Sequence, residues 1–129
     1  MKSYTILYVE DDNAIIELVE DVLAHPNVSL LASDCAPVAT SLIRMERPDL
    51  LLLDVVMPDG SGWDIYQAVR RDDALRETPI IMVTGQLQRY RVLKAFGESP
   101  IDSYITKPFD APTLRREVER MLGVRLWPV

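Results

Sequence analysis

Short, mostly apolar runs recur along the chain, and they alternate with segments in which apolar residues are spaced as in helices. The runs comprise residues 5–9, 28–32, 50–53 and 80–83, and a fifth, more polar segment at residues 101–105 completes the series. Short apolar runs that are bounded by Pro, Gly or acidic residues are typical of strands. The third run is an unbroken stretch of leucine, which predicts a strand buried on both faces, as in a parallel sheet covered by helices.

The segments between these runs predict helices. Pro26 and Pro48 end the first two helices, and Asp110 can cap the last one with Pro112 in its first turn. Residues 86–96 also look helical, although their apolar stripe is irregular. The apolar stripes of the other helices are formed by Ile15, Leu18, Val19 and Val22, by Val38, Leu42 and Met45, by Ile65 and Val69, and by Leu114, Val118, Met121 and Leu122.

The alternation of strands and helices predicts an α/β fold, a doubly wound parallel sheet with helices on both faces. In such a sheet the carboxyl ends of the central strands lie side by side and form the crevice in which ligands bind. The polar residues that follow the strands are therefore expected to meet there. They are Glu10 and Asp11 after the first strand, Asp54 after the third, Thr84 after the fourth and Lys107 after the fifth.

These residue types in one crevice favour phosphoryl chemistry. Two carboxylates about 4 Å apart repel each other by about 4 kcal/mol at an effective dielectric of about 20, so three carboxylates need a cation or a proton. A few protein oxygens, with room for water and phosphate oxygens, favour Mg²⁺ over Ca²⁺. Asp54 can then attack a phosphoryl group while Lys107 and the hydroxyl of Thr84 absorb charge on the transferring oxygens.

Each of these residues also has a purely structural interpretation. The acidic run of residues 10–12 can cap a helix N-terminus, with Asp12 or Asn13 as the cap. Thr84 can make local hydrogen bonds, and Lys107 can lie on the surface. The functional interpretation depends on the occurrence of all these residues at predicted strand ends.

Composition and charge narrow the function classes. The chain has 129 residues, which predicts one domain over residues 1–129 with a core of about 4–123. The net charge of −6 argues against direct nucleic-acid binding, which needs clustered Lys and Arg. Cys35 is the only cysteine, and the N-terminus lacks a signal peptide, so a cytoplasmic protein is expected. No apolar run is long enough to span a membrane.

Four sequence blocks at the predicted strand ends resemble the receiver domain of two-component response regulators, over nearly the whole chain. The blocks are ILYVED at 6–11, LDVVMP at 53–58 with Gly60 and Gly62, VTG at 83–85 and YITKPF at 104–109. The resemblance implies a flavodoxin-like sheet of five strands in the order 2-1-3-4-5. It also implies a signalling domain rather than an enzyme, although receivers promote their own Mg²⁺-dependent phosphorylation and dephosphorylation.

The resemblance implies a role for each site residue. Asp54 is the expected phosphoacceptor, which takes a phosphoryl group from a phosphohistidine on a sensor histidine kinase or a phosphotransfer protein. Asp11 would bind Mg²⁺ directly and Glu10 directly or through water, while Asp54 and the backbone carbonyl of Val56 complete the ligands. Lys107 would pair with the carboxylate and then with the phosphoryl group, and its bond to the following proline is cis in the family.

The same resemblance implies how the signal leaves the site. Thr84 would move to hydrogen-bond the phosphoryl oxygens, and Tyr104 would turn inward into the space that Thr84 vacates. These movements reach the surface formed by the predicted fourth helix, the fifth strand and the last helix. That surface is expected to contact an effector, an output domain or a second copy of the chain in a homodimer.

The chain departs from the family pattern at several positions. Glu10 stands where Asp is commoner, and Asp12 remains an alternative metal ligand if the first strand ends later. Residues 97–101 differ from the family's usual turn before the last strand. The positions that influence self-dephosphorylation hold Val56 and Gln86. Because Val56 has no side-chain donor to orient water, we expect a long-lived phosphoryl state.

Other interpretations differ in testable ways. The main alternative is a receiver-like scaffold that binds proteins without being phosphorylated. A phosphatase of the haloacid dehalogenase type would need a second acid where Val56 stands, and a nucleotide-binding flavodoxin-like protein would need a Gly-rich loop after the first strand. Residues 124–129 are a C-terminal tail or the start of a linker, and Trp127 is expected to fold back onto the domain rather than to join a dimer interface.

Overall fold

The computed structural model describes residues 2–55, 62–85 and 99–128. The predicted helix of residues 86–96 lies outside these ranges, and so do the loop residues 56–61. The elements, in chain order, are β1 (Tyr4–Val9), α1 (Asn13–Val22), β2 (Val28–Ser33), α2 (Ala36–Glu46), β3 (Leu50–Asp54), α3 (Gly62–Arg71), β4 (Ile80–Thr84), β5 (Asp102–Thr106) and α4 (Ala111–Leu122).

The strands form one parallel sheet in the order β2-β1-β3-β4-β5, which confirms the predicted topology. Its register aligns the strand ends, because Val9 pairs with Leu53 and Thr84 pairs with Thr106. The residues that follow these strands therefore emerge at the same edge of the sheet. The predicted leucine strand is fully buried, and its last residue is Asp54.

Helices cover both faces of the sheet, as predicted. On one face α1 and α4 pack against the side chains of Ile6 and Tyr8 from β1. On the other face α2 and α3 pack against Leu7 and Val9. The central strands thus contribute apolar side chains to two cores, which explains why their sequences show no polar alternation.

The buried face of α1 differs from the predicted stripe at one position. Leu18 is 52% exposed, whereas Ile16, Val19 and Val22 are buried. The face of the helix that meets the sheet is centred near Ile16 and Val19, so Leu18 falls on its flank and its inclusion in the stripe was wrong.

The predicted stripe of α2 is also wrong in part. Val38 and Met45 are 52% and 76% exposed, and Ala39 and Ile43 are buried in their place. Ala39 and Ile43 belong to the same buried cluster as Leu7 and Val9 of β1. The prediction favoured the larger apolar side chains, which here face outward.

The predicted N-cap of the last helix is confirmed, and of the two candidates for the first helix it is Asp12 rather than Asn13 that forms the cap. Asp12 is the N-cap of α1, and its carboxylate accepts hydrogen bonds from the backbone N–H groups of Ala14 and Ile15. Asp110 caps α4 by accepting from the backbone N–H of Thr113 at 2.8 Å.

Among the helices within the described ranges, none has the length and apolar character that a membrane crossing requires.

The C-terminal tail folds back onto the domain, as predicted. The indole N–H of Trp127 donates to the backbone carbonyl of Ala24 at 3.2 Å, and its ring meets His25 edge to face. The carboxylate of Glu119 accepts hydrogen bonds from the backbone N–H groups of Leu126 and Trp127. The tail therefore packs against the end of α1 and the side of α4.

Candidate functional site

Three carboxylates meet at the carboxyl edge of the sheet. The backbone N–H of Glu10 donates to the carbonyl of Ser33 at 3.0 Å, which extends the pairing of β1 by one residue and fixes the backbone at the acidic run. Glu10, Asp11 and Asp54 each place a carboxylate oxygen within 4.8 Å of the others. The expected juxtaposition of these acids therefore exists in the folded chain.

Lys107 lies between two of these carboxylates. Its Nζ donates to Oε1 of Glu10 at 2.8 Å and lies 3.7 Å from Oδ2 of Asp54. The backbone N–H of Lys107 donates to the carbonyl of Thr84 at 2.7 Å, and the peptide bond between Lys107 and Pro108 is cis. The end of β5 thus delivers an ammonium group to the acids, and the closer of the two contacts is with Glu10.

Burial makes the charge on Glu10 costly. The residue is 1% exposed, and this burial, followed by the neighbouring Asp54, raises the pKa of Glu10 to about 8, while Lys107 acts in the opposite direction. A carboxylic acid with a raised pKa beside two other acids is stabilised in its charged form by a cation. The electrostatics of the site therefore favour the entry of positive charge.

The donor set fits a magnesium ion. Hard carboxylate oxygens in a small cluster, open to solvent on the side of the exposed Asp11, are the ligands that Mg²⁺ prefers while it keeps several waters. Oε2 of Glu10 is buried and has no hydrogen-bond partner among the described residues. The side chain of Asp12 caps α1 instead, and the carbonyl of Val56 lies outside the described residues.

Thr84 and Tyr104 lie on the adjacent strands β4 and β5. Thr84 is fully buried, and its hydroxyl donates to the carbonyl of Gly85 at 3.0 Å. Tyr104 is half-buried and packs against the core on the side of α2 and α3. The hydroxyl of Thr84 would have to exchange its bond to Gly85 before it could reach a ligand held by Asp54.

Gly62 is a site residue to which sequence reasoning assigned no role. A Cβ atom at this position would lie 1.9 Å from the backbone carbonyl oxygen of Asp54, and the N–H of Gly62 donates to the carbonyl of Val55 at 3.2 Å. The start of α3 therefore packs directly on the backbone that carries Asp54. The sequence did contain a signal for this residue, because Gly62 belongs to the block that begins at Leu53 and follows its Pro-containing loop.

An apolar cavity adjoins the site beside Lys107. It has a volume of about 300 Å³, and Ile15, Leu18, Pro108 and Phe109 line it together with Lys107. The exposed Leu18 thus belongs to a surface that leads to the carboxylates. A second protein that approaches Asp54 would meet this apolar surface next to the charged cluster.

Comparison with known proteins agrees with this geometry. The family model of the response regulator receiver domain matches residues 6–119. The chain is 28% identical to the chemotaxis protein CheY of Pseudomonas aeruginosa, covering 90% of this chain and 94% of that protein. It is 31% identical to the transcriptional regulatory protein KdpE of Staphylococcus aureus over 90% of this chain, but spans only 50% of that protein. A crystal structure of a putative response regulator from Chloroflexus aurantiacus superposes with a TM-score of 0.84 at 29% identity, covering 95% of this chain and 99% of that one.

Proposed function

The chain belongs to the response regulator receiver family, and on that premise we propose that it is a phosphorylation-activated switch of a two-component system. Asp54 accepts a phosphoryl group from a phosphohistidine on a sensor histidine kinase or a phosphotransfer protein in the cytoplasm. One observation carries the proposal: Asp54 ends a buried strand within the carboxylate cluster, 3.7 Å from the ammonium group of Lys107.

The proposed reaction transfers a phosphoryl group from an imidazole nitrogen of the donor histidine to a carboxylate oxygen of Asp54. A carboxylate oxygen of Asp54 attacks the phosphorus atom, the P–N bond to the donor histidine breaks, and the imidazole leaves with the electron pair. The product is an acyl phosphate on Asp54. Glu10, Asp11, Asp54 and the backbone carbonyl of Val56 would hold Mg²⁺, which when bound would supply positive charge for the transferring oxygens.

Lys107 is suited to follow the charge during transfer. Its ammonium group contacts Glu10 at 2.8 Å and is within ion-pair distance of Asp54. A phosphoryl group on Asp54 would bring new anionic oxygens to the same place, and Lys107 can then pair with them. Lysine suits this role because its ammonium group is a compact charge on a flexible stem.

The signal would leave through Thr84 and Tyr104. The hydroxyl of Thr84 exchanges its bond to Gly85 for one to a phosphoryl oxygen, and Tyr104 on the neighbouring β5 moves further inward. The surface formed by the predicted helix of residues 86–96, by β5 and by α4 then changes its contacts with an effector, an output domain or a second copy in a homodimer. The residues 1–129 act as one receiver domain in this scheme.

The apolar cavity beside Lys107 supports a protein as the phosphodonor. A donor imidazole has to reach Asp54, so the surface around it must pack against the rim of the site. Leu18 is 52% exposed on this rim, and it lines the cavity together with Phe109. Burial of such a surface favours protein association.

The direct test is the intact mass of the protein after incubation with Mg²⁺ and acetyl phosphate. The wild-type chain should gain one phosphoryl group, and an Asp54→Asn variant or a sample with excess chelator should gain none. Asp110→Asn is a matched control, because Asp110 is an exposed helix cap outside the site and Asn caps helices as well as Asp does. This control should be phosphorylated like the wild type.

Two results would contradict the proposal. Phosphorylation of Asp54→Asn to the wild-type extent would place the acceptor elsewhere. No added mass on the wild type, from acetyl phosphate or from a panel of phosphorylated histidine kinases, would favour the scaffold that works without phosphorylation. The absence of a side-chain donor at Val56 further predicts slow loss of the phosphoryl group in Mg²⁺ buffer.

A further inference from the structure

Two buried polar atoms beside the carboxylate cluster have no hydrogen-bond partner within the part of the chain that the structure describes. They are the hydroxyl oxygen of Tyr8 and Oε2 of Glu10. Tyr8 is 0% exposed and Glu10 is 1% exposed. A buried hydroxyl or carboxylate oxygen without a hydrogen bond is costly, because it has lost water without replacing it.

The two side chains project from the same face of β1. Ile6 and Tyr8 pack into the core with α1 and α4, whereas the intervening Leu7 packs into the opposite core. The pairing of Glu10 with Ser33 continues the extended backbone by one residue. Side chains alternate along a strand, so the side chain of Glu10 follows those of Ile6 and Tyr8.

The hydroxyl of Tyr8 is suited to be the donor of this pair. A phenol carries one O–H donor, whereas an ionised carboxylate can only accept hydrogen bonds. A donor and an acceptor, both buried and both unpaired among the described residues, thus share one side of a strand end.

We propose that Tyr8 is a positioning residue for the magnesium site, and that one buried water accepts a hydrogen bond from its hydroxyl and donates one to Oε2 of Glu10, since the two atoms do not bond to each other directly. This inference rests on the proposed function. Lys107 already holds Oε1 of Glu10, so the carboxylate is fastened through both oxygens. Each carboxylate oxygen has a second lone pair, which leaves acceptor sites for the metal or a metal-bound water.

The consequence is a fixed orientation of a long acid. Glutamate has one more rotatable bond than aspartate, and its terminal torsion is broad. Hydrogen-bond partners of metal ligands typically change metal affinity by about 10- to 100-fold when they are removed.

The test compares Mg²⁺ binding by isothermal titration calorimetry in the wild type and Tyr8→Phe. Phenylalanine keeps the ring and loses only the hydroxyl, so the core remains filled. The dissociation constant should rise about 10-fold. Tyr66→Phe is the matched control, because the hydroxyl of Tyr66 donates to Asp102 at 2.8 Å, where β5 begins rather than where it ends. This control should bind Mg²⁺ like the wild type.

A second pair of variants tests whether Tyr8 acts through Glu10. Tyr8→Phe should change the dissociation constant by less than about 2-fold when it is introduced into Glu10→Gln, because the acceptor has lost its charge. Thermal unfolding with and without Mg²⁺ provides an independent readout. The stabilisation that Mg²⁺ gives should be smaller in Tyr8→Phe than in Tyr66→Phe.

The outcomes separate this inference from the proposed function. An unchanged Mg²⁺ affinity in Tyr8→Phe, or the same loss in both backgrounds, would overturn the role of Tyr8 alone. A wild-type chain that binds Mg²⁺ but never accepts a phosphoryl group would overturn the proposed function alone. A wild-type chain that binds no Mg²⁺ would overturn both.

Discussion

Replacement of Gly62 by alanine tests whether the start of α3 holds the backbone of Asp54 in place. The new Cβ would lie 1.9 Å from the carbonyl oxygen of Asp54, and contacts below 3.0 Å essentially never occur. Either the carbonyl oxygen of Asp54 or the start of α3 must therefore move by at least 1.1 Å, which is the difference between 3.0 and 1.9 Å. The neighbouring atoms are backbone, so no flexible side chain can absorb this shift.

The two opposing energies can be compared. Alanine improves helix propensity by at most about 1 kcal/mol over glycine. Overpacking of a closely packed site costs about 1–3 kcal/mol, and occasionally more. Because the clash involves backbone on both sides, we expect a steric cost at the upper end of this range, about 3 kcal/mol, and a net loss of about 2 kcal/mol in the free energy of unfolding.

The assay is urea denaturation, monitored by the fluorescence of Trp63 and Trp127, combined with the initial rate of phosphorylation by acetyl phosphate. A displacement of about 1 Å near reacting atoms can reduce a rate by about 100-fold, so Gly62→Ala should lose both stability and rate. Gly123→Ala is the matched control, because no atom lies within 4 Å of its Cβ position. Its φ of 73° costs about 1 kcal/mol for alanine, without an effect on phosphorylation. A Gly62→Ala protein with wild-type stability and rate would refute the reasoning.

Two further predictions concern the charges at the site. Lys107→Met removes the ammonium group that contacts Glu10 and Asp54, so the phosphorylation rate should fall by about 100-fold. Lys2 is exposed, and Lys2→Met is the control that should leave the rate unchanged. A wild-type rate in Lys107→Met would exclude the assigned role of Lys107. The pKa of Glu10 is raised from 4.5 to about 8 in the folded chain, so between these values the folded state binds more protons than the unfolded state. The test is urea denaturation of the wild type and of Glu10→Gln, both in the presence of a chelator. As the pH rises from about 4.5 to 8, the free energy of unfolding of the wild type should fall relative to that of Glu10→Gln. A difference between the two proteins that does not vary with pH would contradict this prediction.

The fold and the meeting of the acids were predictable because they depend on backbone periodicity. An unbroken apolar run has only a few arrangements in which it is buried on both faces, and parallel strands then bring their following residues to one edge. Glu10, Asp11 and Asp54 each follow or end such a strand. Their proximity therefore required no knowledge of side-chain packing.

The details that depend on packing were not predictable in this way. Leu18 and Met45 were placed on buried stripes because size and hydropathy favoured them, but the sheet is approached by Ile16 and Ala39 instead. The direction in which a helix turns its face depends on how closely it can approach the sheet, which a one-dimensional pattern does not contain. The same holds for Gly62, whose importance lies in a contact with the carbonyl of Asp54.

The charge distribution within the site is a further example. The sequence predicted that Lys107 neutralises a carboxylate without stating which one. The shorter contact is with Glu10, at 2.8 Å, and not with the proposed phosphoacceptor. A glutamate reaches further than an aspartate, and this extra length, together with the burial of Glu10, explains why the ammonium group lies closer to it.

The most direct test of the account is chemical identification of the phosphorylated residue. Borohydride reduces an acyl phosphate on aspartate to the alcohol, so treatment of the acetyl-phosphate-labelled protein should convert Asp54 to homoserine. Peptide mass mapping locates that change. We predict homoserine at position 54 and at no other acid of the cluster; a modified Glu10 or Asp11, or a phosphoryl group that resists borohydride on Thr84, would contradict the central claim that Asp54 is the phosphoacceptor.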